Sequence, residues 1–244
     1  MSRPERAEVL ELLRQLARTP LGEHLILGGS SGVYGVSATI SAFTEDVDLL
    51  VDADWAAAHP KAVLTLMRRL GFEHLPGTPT FTSPAGLSVD LVGYSLRDVA
   101  DRIGGSEALP VMVYADLSRL MSIQGTTLDL PGGGRALSPA ALALSKLLTI
   151  RLEKGSKDKL QALLIIDENA EEPEFLASLR GLFRAYPADR LEDAIADAQA
   201  ACLAIAGDVA LAGVQAAGYA PMHRAVERGL TLFIQLAGIE EARP

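Results

Sequence analysis

Residues 44–52 read TEDVDLLVD, an apolar segment in which two aspartates are separated by a single residue. Successive side chains of a strand point to opposite faces, so Asp46 and Asp48 share one face while Val47 and its apolar neighbours share the other. An unpaired buried charge costs roughly several kcal/mol, and two neighbouring carboxylates repel each other. The pattern therefore predicts a buried strand with something positive between the two aspartates.

A third carboxylate follows in a second predicted strand. Residues 80–92 predict a hairpin with arms at 80–83 and 87–92, and Asp90 lies between apolar residues in the second arm. Mg²⁺ prefers oxygen ligands and leaves room for substrate phosphates, and acids on adjacent strands suit a two-metal site for in-line displacement at phosphorus. The predicted metal ligands and catalytic residues are Asp46, Asp48 and Asp90.

Upstream, residues 24–30 read HLILGGS and predict a short buried strand that ends at a turn of small residues. Gly28 and Gly29 carry no Cβ, so their backbone can approach a ligand closely. Ser30 precedes a weakly predicted helix, and the free N–H groups of a helix start bind phosphate. Each motif also occurs in plain turns and loops, but their order favours a binding site for the phosphates of a nucleoside triphosphate at Gly28, Gly29 and Ser30. Asp52 and Asp54 are expected to end the strand and cap a helix.

Charge and cysteine content exclude several classes of protein. The chain has 244 residues, a net charge of -9, a pI near 5.0 and one cysteine. A broad non-specific grip on nucleic acid needs a basic face, which this balance disfavours. One cysteine allows no internal disulfide and no zinc cluster. The N-terminus lacks the apolar core of a secretory signal, so a cytoplasmic location and no membrane partner are expected.

The chain changes character at PGGG, residues 131–134. Residues 1–135 combine predicted helices and strands, with further short strands expected over 111–133. Residues 136–244 are rich in Ala and Leu with helical period and predict a helical bundle. The predicted fold class is α+β, with an N-terminal mixed sheet and helices followed by that bundle. The helices predicted after PGGG begin at Ser138 and then span 158–167, 172–184, 188–206 and 221–237.

The motif LGGS…TEDVDLLV…VDLV resembles the nucleotidyltransferase superfamily, which has the DNA polymerase beta-like fold. The gap between Ser30 and Asp46 is most like that of the AbiEii-type branch, which includes toxins of toxin–antitoxin systems. The resemblance implies that Gly29 and Ser30 contact the triphosphate and that Asp46 and Asp48 bind Mg²⁺. It also implies that Asp90 binds metal and activates an acceptor hydroxyl.

The helical part resembles the same branch through SKLLTIRLEKGSKDKLQALLII, residues 145–166. By this resemblance Lys146 reaches the triphosphate or the acceptor, Arg151 lies about a turn further on, and residues 157–158 begin a second helix. The branch often carries an aspartate where this chain has Gln161. Taken without the resemblance, Lys146 would snorkel to solvent, and the alternating charges of residues 153–159 predict a solvated face or loop.

The sequence thus predicts a Mg²⁺-dependent nucleotidyltransferase that moves a nucleoside monophosphate from a triphosphate to an acceptor. The acceptor is left open between an RNA end, a protein and a small molecule. The resemblance implies a toxin of a toxin–antitoxin system, whose small neutralising partner would be encoded beside it. The alternative is a nucleotide-binding or regulatory protein of the same fold with reduced catalysis. The glutamine at position 161, where the branch often has an aspartate, favours this alternative. A stand-alone structural or antitoxin-partnered protein is left open as a third candidate.

Overall fold

The computed structural model describes residues 5–40, 44, 46–148, 155–206 and 222–238. The chain divides into two compact units, Met1–Ser138 and Pro139–Pro244. The fold is α+β: a mixed sheet with helices forms the first unit, and the described part of the second consists of helices. The sequence placed the division between residues 135 and 136, whereas the last strand of the sheet, Arg135–Leu137, still belongs to the first unit.

The elements follow one another in this order. The helices of the first unit are α1 (Arg6–Ala17), α2 (Val33–Val36), α3 (Ala53–Ala58), α4 (Pro60–Arg69) and α5 (Ala115–Met121). Its strands are β1 (Ile26–Leu27), β2 (Asp46–Asp52), β3 (Glu73–His74), β4 (Thr80–Thr82), β5 (Ser88–Tyr94), β6 (Arg102–Ser106), β7 (Leu109–Val113), β8 (Thr127–Asp129) and β9 (Arg135–Leu137). The second unit contains α6 (Pro139–Leu147), α7 (Gly155–Glu168), α8 (Pro173–Arg184), α9 (Ala188–Ala206) and α10 (His223–Ala237).

The sheet is built around β2 and β5, its two longest strands. Its main path runs β3-β4-β5-β2-β1-β9-β8, and β7 pairs with both β5 and β6. β2 and β5 are parallel over their whole length, while β1 is antiparallel to β2 and β4 is antiparallel to β5. The connection between the parallel pair passes through α3, α4 and the β3–β4 hairpin, because parallel strands need a long crossover.

One face of these strands forms the core of the first unit. Phe81, Val89 and Val47 are register partners across β4, β5 and β2, and none of them is exposed. Burying each such side chain contributes roughly 1.5–3 kcal/mol. A slip of one residue would turn these side chains to solvent and bring the neighbouring aspartates into the core. The apolar alternation therefore fixes which face carries the acids.

The predicted hairpin is confirmed, whereas the strands expected over residues 111–133 are only partly right. β4 and β5 form the antiparallel arms, and the backbone N–H of Ser83 donates to Leu87 O at 2.9 Å to close the loop. Between β7 and β8 the chain forms helix α5 instead of another strand. Leu117 and Leu120 recur at helical spacing there, and Asp116 in the first turn favours the helix dipole.

In the second unit α7 packs against α6, α9 and α10. The apolar residues of α7 are buried on most sides, which suits a helix surrounded by others. The four helices predicted after residue 157 are found as α7 to α10. Among the helices in the described ranges, none combines the length and the apolar character needed to cross a membrane.

Candidate metal centre

Three aspartates of the first unit converge on the polar face of the sheet. One carboxylate oxygen from each of Asp46, Asp48 and Asp90 lies within 4.8 Å of the other two. All three residues are partly exposed. Oxygens that bind one Mg²⁺ from opposite sides lie about 4.2 Å apart, twice the usual metal–oxygen distance. Three oxygens on one octahedral ion include at most one such opposite pair, and the remaining pairs lie closer together, so the side chains must draw together for the three oxygens to share a cation.

The strand register explains why the acids meet. Asp48 and Asp90 are direct partners in the parallel β2–β5 pair, and Asp46 lies two residues before Asp48 on the same face. The pairing continues into β4, so two polar rows cross three strands side by side. The first row is Thr80, Asp90 and Asp48, and the second is Thr82, Ser88 and Asp46.

The turn after β1 is fastened to Asp48 by backbone and hydroxyl contacts. The N–H of Gly28 donates to Asp48 O at 3.0 Å. The buried Ser31 hydroxyl accepts from the N–H of Asp48 at 3.1 Å and donates to Gly28 O at 3.1 Å. The predicted phosphate-binding turn, with half-buried Ser30 next to Gly29, is thus held beside the acid cluster.

Gly29 is required at this turn for two separate reasons. Its φ is +55°, in the left-handed region that glycine adopts without steric cost. A Cβ at this position would also lie 1.7 Å from Asp48 Oδ2, far inside van der Waals contact. The absence of a side chain therefore leaves the backbone of Gly29 directly against the carboxylate of Asp48.

The donors of this cluster fit a hard divalent cation. All three side chains offer carboxylate oxygens, the ligand type that Mg²⁺ prefers. They are grouped at a partly exposed face, which leaves an approach for a second ligand such as a phosphate. The missing Cβ at Gly29 lets the carboxylate of Asp48 lie against the backbone of the turn.

Threonine hydroxyls hold two of the three acids. Thr80 Oγ1 donates to Asp90 Oδ1 at 2.6 Å. Thr44 Oγ1 donates to Asp46 Oδ1 in a short hydrogen bond. A hydroxyl donor orients a carboxylate and brings no positive charge that would compete with a cation.

Sequence reasoning did not identify Ser31, Thr44 or Thr80. For Thr80 a signal exists, because a hairpin centred on residue 85 pairs residue 80 with residue 90. For Thr44 the signal is its position two residues before Asp46, on the same face of an extended segment. Ser31 gives no comparable signal, since its role depends on the turn that brings its hydroxyl to β2.

Asp52 has the role that the sequence predicted. Its carboxylate accepts from the backbone N–H groups of Asp54 and Trp55 at 2.8 and 3.0 Å, and so caps the start of α3. Asp54 does not cap the helix; its carboxylate lies 3.7 Å from the Arg97 guanidinium and 3.9 Å from that of Arg102. Both residues stand outside the acid cluster.

Lys146, expected to reach a triphosphate or solvent, is buried within the second unit. Its side chain is 3% exposed, and its Nζ lies 3.0 Å from Asp158 Oδ1. The expectation that it snorkels to solvent is therefore wrong. Because the two side chains form an ion pair between α6 and α7, the charge of Lys146 is compensated inside its own unit.

The expected solvated face over residues 153–159 is also wrong where the structure describes it. Lys159 is 1% exposed, donates to Leu147 O at the end of α6, and lies 3.7 Å from Asp197. Burial lowers the pKa of Lys159, an effect that the nearby aspartates oppose. Gln161 is fully buried, and within the described residues neither amide atom finds a hydrogen-bond partner. Arg151 lies outside the described residues.

A hollow of about 610 Å³ also occurs in the second unit, between the end of α7, the start of α8 and α10. Its lining is acidic, and its arginine, Arg228, is engaged by two hydrogen bonds of 2.7 and 2.8 Å to Asp167. This lining brings together no set of groups that suggests a reaction. Unlike the acid cluster of the first unit, this hollow therefore offers no candidate reactive site.

Comparisons of the chain with protein-family models, with curated proteins and with solved structures give no significant match.

Proposed function

We propose that this chain is a divalent-metal-dependent nucleotidyltransferase. It transfers a nucleoside monophosphate from a nucleoside triphosphate to an acceptor and releases pyrophosphate. The observation that carries the proposal is the convergence of Asp46, Asp48 and Asp90 within 4.8 Å, beside a turn whose Gly29 backbone touches the cluster. The order of these motifs is the one that resembles the AbiEii-type branch of the superfamily.

The reaction replaces one phosphorus–oxygen bond with another. The oxygen of an acceptor hydroxyl bonds to the α-phosphorus while the bond from that phosphorus to the β-bridging oxygen breaks, and pyrophosphate leaves with the bonding electrons. Bound Mg²⁺ would neutralise charge that develops on the phosphoryl oxygens. Asp90 takes the proton of the acceptor hydroxyl, and Asp46 and Asp48 would hold the cation.

The turn at Gly28, Gly29 and Ser30 supports this assignment through its shape. Because Gly29 carries no side chain, the turn lies directly against the carboxylate of Asp48, next to the acids that would hold the cation. The contacts of Ser31 to Gly28 and Asp48 hold the turn in one position. A pre-positioned turn lowers the entropic cost of ordering the triphosphate.

Nucleotide transfer is tested by following label and pyrophosphate together. The chain is incubated with Mg²⁺, each of the four α-labelled triphosphates in turn, and total RNA, protein or small-molecule hydroxyl compounds. Transfer predicts label in one acceptor fraction and an equal amount of pyrophosphate. Asp46→Asn/Asp48→Asn should abolish both, while the control Asp129→Asn, at a side chain that is 92% exposed in the same unit, should not.

The second candidate is a nucleotide-binding protein of the same fold that does not transfer. Gln161, which stands where the resembling branch often has an acid, is buried with an unsatisfied amide and gives no replacement for that acid. Metal-dependent triphosphate binding without pyrophosphate release would favour this candidate. The acceptor, a role for Lys146 toward the triphosphate, and an antitoxin partner stay predictions of the resemblance; co-purification with the product of the adjacent gene tests the partner.

A further inference from the structure

We propose that Thr80 is a positioning residue, which holds the carboxylate of Asp90 in the geometry that binds the divalent cation. This inference rests on the proposed function, because it concerns the same acid cluster. Thr80 itself would touch neither the cation nor the nucleotide. Its effect would pass through one hydrogen bond to Asp90.

The contact is direct and is built into the sheet. Thr80 and Asp90 are register partners on the antiparallel β4 and β5 strands, so their side chains lie on the same face. Thr80 Oγ1 donates to Asp90 Oδ1 at 2.6 Å. The N–H of Leu91 donates to Pro79 O at 3.0 Å, which ties the two strands together beside this pair.

Asp90 needs such support because of its neighbour on the other side. Asp48 is its partner in the parallel β2–β5 pair, so two carboxylates stand next to each other across the strands. Like charges at this spacing repel each other, so without a cation the carboxylate of Asp90 is pushed away from that of Asp48. The hydrogen bond from Thr80, on the side of Asp90 away from Asp48, limits this carboxylate to one orientation and brings no positive charge with it. Groups that hydrogen-bond to metal ligands commonly change metal affinity by about 10–100-fold when removed.

The chain offers a matched control on the same strand. Thr82 lies two residues from Thr80 on the same face of β4, and it pairs with Ser88 instead of an aspartate. Within the described residues the Thr82 hydroxyl makes no hydrogen bond. Its partner on the other side is the exposed Glu73 of β3. Removing the Thr82 hydroxyl therefore changes the same kind of group on the same strand, but breaks no hydrogen bond to one of the three clustered aspartates.

Binding of Mn²⁺ alone to the full chain tests the inference without any assay of transfer. The loss of the free-ion signal in electron paramagnetic resonance gives the affinity of the wild type and of the variants Thr80→Val, Thr80→Ser and Thr82→Val. We expect Thr80→Val to weaken binding by about tenfold or more. Thr80→Ser, which keeps the hydroxyl, should restore most of the affinity, and Thr82→Val should match the wild type.

Each outcome is decisive. If the wild type binds Mn²⁺ and Thr80→Val binds it equally well, the role of Thr80 is wrong while the proposed function stands. Equal weakening in Thr80→Val and Thr82→Val, or no rescue by Thr80→Ser, also overturns it, because the cause would then be a general loss at β4. If the wild type binds no Mn²⁺, both proposals fail. Thermal unfolding in a chelator checks that each variant folds. If Thr80→Val does not fold, Thr80→Ala replaces it as the variant without the hydroxyl.

Discussion

The acid cluster of the first unit and the buried Asp158 of the second have opposite kinds of partner. In the first, the side-chain partners of Asp46 and Asp90 are threonine hydroxyls, and both acids are partly exposed. In the second, Asp158 is buried against Lys146. A lysine partner compensates the charge of an acid, whereas a hydroxyl only orients it. The first arrangement is therefore suited to hold an incoming cation, and the second to join two helices.

The most complete loss is expected from removing charge at the acid cluster, where stabilisation by metal should disappear altogether. Magnesium should stabilise the wild type, by about 2.7 kcal/mol at a concentration of 100 times its Kd. It should not stabilise Asp46→Asn/Asp48→Asn, which lacks two of the three ligands. In a chelator the variant should be at least as stable as the wild type, since the repulsion between neighbouring carboxylates is relieved. Thermal unfolding with Mg²⁺ and with a chelator measures the stabilisation by metal and the stability without it, and Asp129→Asn is the control.

Breaking the buried ion pair of the second unit should lower the free energy of unfolding whether or not metal is present. Lys146→Met leaves the charge of Asp158 buried without its lysine, which costs about 3–5 kcal/mol in comparable pairs. Adding Asp158→Asn should recover part of this loss. Urea unfolding of the second unit is the measurement. A stable Lys146→Met variant with weakened triphosphate binding would contradict this structural role and favour the ligand role that the resemblance implies.

A smaller effect is expected at the turn beside the acids. Gly29→Ala meets both an unfavourable φ and the carboxylate of Asp48, whereas Gly86→Ala has a positive φ of +87° with open space around it. Gly86→Ala should cost about 1–2 kcal/mol from backbone strain alone. Gly29→Ala should cost about 1 kcal/mol more, from the clash, and should weaken Mn²⁺ binding. Equal stability and equal Mn²⁺ affinity of the two variants would show that the contact with Asp48 is unimportant.

The smallest effect is expected at the exposed pair of the second unit. Arg228 is 65% exposed and forms two hydrogen bonds to Asp167. Exposed ion pairs contribute little and are screened by salt. Arg228→Met should therefore shift the melting temperature far less than Lys146→Met, and the shift should shrink further in 1 M NaCl, a test concentration at which the Debye length is about 3 Å. A salt-independent loss as large as that of Lys146→Met would remove the distinction between buried and exposed pairs.

The acid cluster was accessible from the sequence because short-range patterns encode it. Alternation in β2 sets the face of Asp46 and Asp48, and the hairpin loop sets the position of Asp90. The parallel pairing that brings Asp48 next to Asp90 was not accessible in this way. It joins segments about 40 residues apart through a crossover, and such a pairing depends on the packing of the whole unit.

The charged segment of the second unit shows where pattern reasoning fails. Alternating charges over residues 153–159 suggested solvation, yet Lys159 is buried and its ammonium group bonds to Leu147 O. The last carbonyl groups of a helix have no partner within the helix, so they attract a donor from a neighbouring element. This attraction depends on where α6 ends beside α7, and no local pattern of charges reports that position.

The most direct test of the acid cluster as a metal centre is anomalous diffraction from crystals grown with Mn²⁺ and a non-hydrolysable nucleoside triphosphate. We expect a manganese peak in bonding contact with oxygens of Asp46, Asp48 and Asp90, with the triphosphate tail against the Gly29 backbone. A manganese peak bound only elsewhere, or a triphosphate bound away from this face, would contradict it.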